Sequence, residues 1–509
     1  MSAPRVIRLA REDTVAVAVD PLAPGDPVDP SGSGAAGLLA RDPVPVGHKV
    51  SLVAIPAGAP IRRYGQTIGF AAVEIGPGSH VHTHNVTADG FNRAYEFATD
   101  LRPPPLAVTP RTFRGYLRPD GRAGTRNYLA VISTVNCSAS ASRFIAERLP
   151  RDILASHPSI DGILALTHKG GCTGPLDGDD HLRLERVLAG FAGHPNVGAC
   201  LLVGLGCEVA QAASVIERQG LGGRSGIRVL VIQEQGGLRR TVEAGVAALR
   251  ELLPGAAAVE RTELPASMLV LGTQCGGSDG FSGITANPAL GVAADLLVAQ
   301  GGTAILPETP ELFGAEHILT TRAVSREVGE ALLERIRWWE WYAGVFGATI
   351  DNNPTPGNKA GGLTTIYEKS LGAVAKGGST PLTAVYRYAE PVTAHGLVVM
   401  DTPGNDPISL TGVVAGGANV CAFTTGRGSV YGCKPTPCLK IATTSGLYRH
   451  MSDDMDVDAG VILDGTPVED VGAAIFEELL AVASGRRTKS EEQGVGDEEF
   501  APWTVGPVF

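Results

Sequence analysis

Beyond Arg114 the sequence alternates between uninterrupted apolar runs and stretches whose apolar residues recur at helical spacing. The runs are Tyr128 to Val135, Gly162 to Thr167, Gly198 to Leu205 and Ile227 to Gln233, and helical stretches occupy 142–149, 209–218 and 238–253. A run with no polar alternation has no solvated face, so each is predicted as a strand covered on both sides. Strand followed by helix, repeated, implies parallel strands joined by helical crossovers. The pattern resumes with strands at 267–273, 303–306 and 397–400 and helices at 287–299, 325–345 and 363–376. The prediction is two α/β domains with largely parallel sheets, at 114–262 and 263–485, and a polar tail at 486–509. Trp338, Trp339 and Trp341 of the long helix read as packing residues.

In parallel sheets ligands gather beyond the carboxyl ends of the strands. Those positions carry Asn136-Cys137-Ser138, His168-Lys169-Gly170-Gly171-Cys172 and Gly206-Cys207-Glu208. A cysteine after a strand is ordinarily a small buried hydrophobe. Three at equivalent topological positions, with an imidazole and an amine among them, suggest a reactive site. The later strands end in Gln274-Cys275-Gly276-Gly277-Ser278-Asp279-Gly280, in Asp401-Thr402-Pro403-Gly404 and in Thr424-Thr425-Gly426-Arg427-Gly428. A loop carrying Arg118, Arg122 and Arg126 precedes the first strand. It reads either as a solvated loop or as a carboxylate clamp, because guanidinium presents a planar donor fork. Lys359, at a helix start, reads as solvated or as an anion holder.

The first hundred residues differ. Three Pro/Gly turns, near Pro24-Gly25, Pro56-Ala57-Gly58 and Pro77-Gly78, separate β-rich runs, which predicts a small all-β domain over 1–100. Ser31-Gly32-Ser33-Gly34 reads as a flexible loop, and 101–113, with Pro103-Pro104-Pro105, as a stiff linker. The last turn leads into His80-Val81-His82-Thr83-His84. In an extended segment side chains alternate faces, so the three imidazoles would share one. Charged, they repel; neutral, they bury poorly. A divalent metal would resolve both by accepting their lone pairs, whereas without one the segment is a wet polar loop.

Composition narrows the function. A net charge of −11 argues against nucleic acid or an anionic membrane surface as partner, though not against a small anionic substrate. The amino terminus shows no signal peptide and no run is long enough for a membrane span, so a cytoplasmic protein is expected. The eight cysteines then read as reduced thiols. Walker A is absent, and Gly204-x-Gly206 and Gly426-x-Gly428 are incomplete dinucleotide signals, so no nucleotide cofactor is expected.

The strand-end loops resemble the altronate/galactarate dehydratase family. The resemblance rests on Gly115-Tyr116-Leu117-Arg118-Pro119-Asp120-Gly121-Arg122-x-Gly124-Thr125-Arg126-Asn127-Tyr128, Thr134-Val135-Asn136-Cys137-Ser138, Gly272 to Gly283, Met400 to Gly404 and Phe423 to Ser429, with Asp351 to Leu371 similar as well. It implies that 1–100 is the family's SAF-like β-clip domain. It also implies a metal-dependent hydro-lyase, typically using Fe2+ with Mn2+ or Mg2+ as alternatives, that converts a sugar acid to a 2-keto-3-deoxy sugar acid. The sequence departs at His168 to Gly174, where a Gly-Cys-Gly ending is expected, which leaves the substrate open.

On this reading His82 and His84 are metal ligands, with His80 a weaker candidate. Cys137, Cys172 and Cys207 are further ligands or wall residues. His168 and Lys169 are the acid–base pair. Arg122, Arg126 and Arg427 hold the carboxylate, and Asn136, Asp279 and Asp401 read hydroxyls. A homo-oligomer, a dimer, is expected. Two alternatives stand: elimination of sulfite from a sulfonated hydroxy acid, and an iron–sulfur or zinc site on the three cysteines with a structural or electron-transfer role. Their spacing fits no short Cys-x-x-Cys motif.

Overall fold

A computed structural model describes residues 4–30, 37–88, 94–103, 109–149 and 156–506. The Ser31–Gly34 loop and Pro104-Pro105 lie outside the described residues.

The β domain holds two small antiparallel sheets. In one, Lys49–Ser51 pairs with Val15–Ala18 on one side and with His80–Val81 on the other, placing Val50 opposite His80. In the other, Gln66–Ala71 lies between Pro60–Arg63 and Val86–Thr87. Val15, Ile55, Ile61, Ile68, Ile75 and Val81 are buried and continuous with the core of the largest domain, whereas Val6, Ala16, Ala18, Leu22, Val44 and Val50 form a smaller cluster of the β domain's own.

The middle domain carries a four-stranded parallel sheet. Tyr128–Ser133 is flanked by Gly162–Leu166 and Val197–Gly204, and Ile227–Val231 extends the latter edge. All six residues of the central strand are buried, as its apolar run requires. The last domain is built on a seven-stranded parallel sheet with Val270–Cys275 at its centre, between Thr303–Leu306 and Val420–Thr425. Both sheets therefore match the expected α/β class. The strands Leu382–Tyr386 and Cys438–Ala442 and the helices Asp179–Ala192 and Val468–Ala483 add to the elements anticipated from sequence.

Two expected boundaries change. Of the stretch 486–509, predicted as a polar tail, the described part to residue 506 packs against the body: Phe500 and Trp503 are buried, and Trp503 stacks on Trp339 with ring centroids 5.2 Å apart. The last two residues of the predicted linker, Thr112 and Phe113, open a strand, Thr112–Leu117, paired with Thr262–Pro265. Just before the linker, the Ala98 and Asp100 amides donate to Thr320 and Thr321 of the last domain. Trp339 is core as expected, whereas Trp341 is 63% exposed.

Candidate active site

The β domain sits over the strand-end loops of the seven-stranded sheet, held by a buried ion triad. Glu368, in the Ile366–Val374 helix, receives Lys49 at 2.9 Å and Arg63 at 2.5 Å. All three side chains are essentially inaccessible to water. Burial alone would raise the Glu368 carboxyl, but the two cations overturn that and hold it down to about 2. Burial lowers Lys49 to about 8. Lys49 also donates to the Gly362 carbonyl and Arg63 to that of Gly280. A triad this desolvated costs several kcal/mol to assemble and is offset only by well-placed partners; Arg63 Nε has none among the described residues, so the triad acts chiefly to fix one docking geometry.

Backbone contact reinforces it. A Cβ on Gly280 would lie 2.0 Å from the Gly47 carbonyl, and one on Gly362 2.1 Å from the same atom. Only glycine allows the two chains to approach this closely. His48 follows Gly47, and its Nε2 faces the Ala360 carbonyl at 3.2 Å.

Three imidazoles converge here. His48 Nδ1 and His80 Nε2 are 3.0 Å apart, and the rings of His48 and His82 are 4.5 Å apart. Ligand-capable nitrogens of His48, His80 and His82 all lie within 4.8 Å of one another. Burial, helped by the neighbouring imidazoles, pushes His80 down to about 4 and His82 to about 3. Neutral rings with free lone pairs are what a divalent ion binds. Nδ1 of His82 is buried without a hydrogen-bond partner, an atom that a metal would satisfy. The residues therefore fit a metal.

This ligand group differs from the predicted set. His82 belongs to it and His80 joins it, but His84 does not. The strand ends at Val81, and the turn that follows, closed by Asn85 Oδ1 accepting from the His82 amide, leaves His84 exposed. The third position falls to His48, on the adjacent strand edge. Its signal was available: Pro45-Val46-Gly47-His48 is another Pro/Gly turn leading into a β run.

Cys137, Cys172 and Cys207 do not join the histidines. They lie on the middle domain and belong to neither ligand group among the described residues, the three histidines or the buried Cys275, Glu308 and Glu311. His168 and Lys169 line a cavity of about 570 Å³ with Cys172, His181, Glu208 and Trp503. Asn136 is beside it, donating to the His168 carbonyl. The cavity also reaches Ile408, in the first turn of the Asp406–Ala415 helix of the last domain.

The arginines separate. Arg126 is buried and its guanidinium is consumed by Glu491 and by the carbonyls of Thr125, Val482 and Arg486, so it holds the protein's own C-terminal segment rather than a substrate. Arg122 pairs with Asp120 and lines a cavity of about 560 Å³ that includes Val270, Thr303 and Asn419. Those residues lie at the amino ends of strands, opposite the expected site. Arg427 alone of the three is exposed at a carboxyl end, its amide donating to Gly277.

Of the expected hydroxyl readers, Asp401 is buried and accepts from Thr309 and Trp339, both at 2.7 Å. Asp279 is buried and accepts from Ser282 and Thr443. Its loop nevertheless touches Gly426 and Gly361, which brings Arg427 and the histidine group to the same loop.

Beneath that loop is a network the sequence reading missed. Lys376 Nζ lies 2.8 Å from Cys275 Sγ and 2.5 Å from Glu308, and Gln274 donates to both Glu308 and Asp406. Lys369 binds Glu311 at 2.7 Å. Burial raises Glu308 to about 8 and Asp406 to about 6. Glu308 also has φ 64°, a left-handed conformation costing about 1–3 kcal/mol for such a residue. Perturbed ionisable groups and backbone strain at a strand end mark functional sites. The signal in sequence was Glu308, directly after the Thr303–Leu306 run.

A β domain locked over the strand ends of a parallel sheet, its imidazoles turned toward those loops, defines a multidomain α/β enzyme whose centre is assembled from separate parts of the chain. Family models match each part. The altronate/galactarate dehydratase SAF domain covers 4–89, the D-galactarate dehydratase/altronate hydrolase second domain 115–257, and the D-galactarate/altronate dehydratase C-terminal model 266–508. The chain is 36% identical over 488 residues to altronate dehydratase of Bacillus subtilis (strain 168), spanning 96% of both. It is 36% identical over 481 residues to galactarate dehydratase (L-threo-forming) of Escherichia coli (strain K12), spanning 93% of this chain and 92% of that one. It is also 33% identical over 410 residues to the (2R)-sulfolactate sulfo-lyase beta subunit of Chromohalobacter salexigens, spanning 78% of this chain and 98% of that one. The chain belongs to the altronate/galactarate dehydratase family and is an enzyme of the hydro-lyase class. Among the described residues no helix is long and apolar enough to cross a membrane.

Proposed function

We propose that this enzyme removes water from an aldonic or aldaric acid of the altronate or galactarate type, giving a 2-keto-3-deoxy sugar acid. The observation that carries the reading is the convergence of His48, His80 and His82 beside the Gly276–Gly280 loop. Bound there, a divalent metal, Fe2+ or alternatively Mn2+, would polarise substrate oxygens. His82 and its two partners, His48 and His80, would hold it as neutral imidazoles. Arg427, exposed at the strand end, and Lys359, one residue from the carbonyl that faces His48, hold the carboxylate. Proton transfer falls to His168 and Lys169 on the cavity that reaches the Asp406 helix. The enzyme acts as a cytoplasmic homodimer.

The test is an anaerobic assay of metal-stripped protein, with and without added Fe2+, against aldonic and aldaric acids, detecting the 2-keto product. Dependence on added metal and its loss in His48→Ala support the reading. Full turnover in stripped protein refutes it.

One observation favours a second reading. Besides the beta subunit, a 48-residue stretch of this chain is 44% identical to the (2R)-sulfolactate sulfo-lyase alpha subunit of Paracoccus pantotrophus, covering 72% of that protein. A sulfonated hydroxy acid in the same panel, read by sulfite release, separates the two.

A further inference from the structure

The cysteines fall into two populations. Cys200, Cys275, Cys421, Cys433 and Cys438 are buried, as thiols ordinarily are, whereas Cys137 and Cys207 are exposed and Cys172 is half-buried. The three accessible thiols follow three adjacent strands of one parallel sheet, in the spatial order Gly162–Leu166, Tyr128–Ser133, Val197–Gly204.

Their loops are knitted together. The Asn136 amide donates to Gly170 at 2.9 Å, joining the Cys137 loop to the Cys172 loop. The Val209 amide donates to the Cys172 carbonyl at 3.1 Å, joining that loop to the one carrying Cys207. Thr134 donates to Glu208 at 2.7 Å, which closes the ring between the first loop and the third. Glu208 in turn accepts from the Leu205 and Gly206 amides, fixing the turn that presents Cys207. This is considerable architecture for holding three accessible thiols, two exposed and one half-buried, at one end of a sheet.

The three thiols are not among the groups whose ligand atoms fit within the 4.8 Å that one ion would span. An iron–sulfur cube is larger than one ion, and its cysteines stand at separate corners. Three cysteines also leave one corner without a thiolate.

We infer that Cys137, Cys172 and Cys207 ligate a [4Fe–4S]-type cluster whose fourth iron takes an oxygen ligand, water or a hydroxy-carboxylate. Cys172 places that site beside the cavity that it lines together with His168 and Lys169. Such a cluster is distinct from the histidine metal site, and the inference stands whether or not the proposed dehydration is correct.

The test uses the full-length chain, reconstituted anaerobically with Fe2+ and sulfide and then desalted. The expected result is a brown protein with about four acid-labile sulfide per chain and about four iron beyond any held by the histidine site, which is counted in the cysteine variants. Cys137→Ser, Cys172→Ser and Cys207→Ser each lose the sulfide and the colour, whereas Cys200→Ser, in the buried population, retains both. Circular dichroism of each variant shows that the fold persists, the expected outcome because none of the three thiols is fully buried. Mild oxidation with ferricyanide releases the iron that lacks a cysteine and yields the paramagnetic signal of a three-iron cluster. Iron bound without labile sulfide, zinc bound in preference to iron in a mixed-metal reconstitution, or colour unchanged in Cys172→Ser would overturn the inference. A cluster that keeps all its iron under ferricyanide would overturn the open corner.

Discussion

Replacing Glu368 by Gln removes the one anion between Lys49 and Arg63 while keeping side-chain size. Both cations are then buried without a counter-charge, because their other partners are the carbonyls of Gly362 and Gly280. Breaking a buried pair in this way costs about 3–5 kcal/mol. An independent route gives a similar figure: holding the carboxyl from 4.5 down to about 2 corresponds to about 3 kcal/mol. The sign in pH follows from the lowered value. That stabilisation is complete above pH 4.5 and is lost as pH falls from there toward 2. The assay is urea unfolding at pH 7 followed by circular dichroism, with limited proteolysis of the β domain as a local readout. Glu368→Gln lowers the unfolding free energy by about 3–5 kcal/mol and exposes the β domain to protease. Adding Lys49→Met recovers part of the loss, since one orphaned cation is gone. A loss below about 1 kcal/mol, the range of surface ion pairs, would refute the view that this triad fixes the docking. So would a double variant whose losses simply add.

Gly280→Ala drives a methyl into the Gly47 carbonyl, displaces His48, and weakens Mn2+ binding measured by calorimetry while far-UV dichroism stays unchanged. His82→Ala abolishes metal-dependent turnover, yet the thermal midpoint moves little because Asn85 closes the turn through backbone. Arg427→Ala forfeits about 1.5–3 kcal/mol of binding to the substrate carboxylate, read as a rise in KM of tenfold or more, whereas Arg122→Ala leaves KM unchanged. Asp406→Asn raises the unfolding midpoint at pH 7 and not at pH 4. The raised carboxyl favours the folded state below 3.8, and that advantage is lost as pH rises through about 6.

The parallel sheets were legible because a strand buried on both faces must be apolar throughout, as Tyr128–Ser133 is. The histidine turn was legible as a local motif, but its ligand set was not. Antiparallel pairing brings His48 to His80 across 32 residues, and no alternation within 80–84 reports that. Arg126 misled for a related reason: its partner Glu491 is 365 residues away, so a clamp for the protein's own chain looked like one for a substrate. The polar composition of 486–509 hid Phe500 and Trp503, which join a core cluster shared by the middle and last domains. Lys369 and Lys376 fall in the helix expected over 363–376, and only the fold shows them meeting Glu311 and Glu308.

The Glu368 triad and the glycine contacts join the β domain to the remainder entirely through space, and none of these bonds uses the covalent connection between residues 103 and 109. Continuity of the chain therefore contributes effective concentration and not affinity. A polypeptide cut in that stretch would reassemble from its two pieces as a heterodimer, with the same histidines over the same loop. Fusion, on this view, sets the stoichiometry of the two parts at one to one and leaves their fit to the interface.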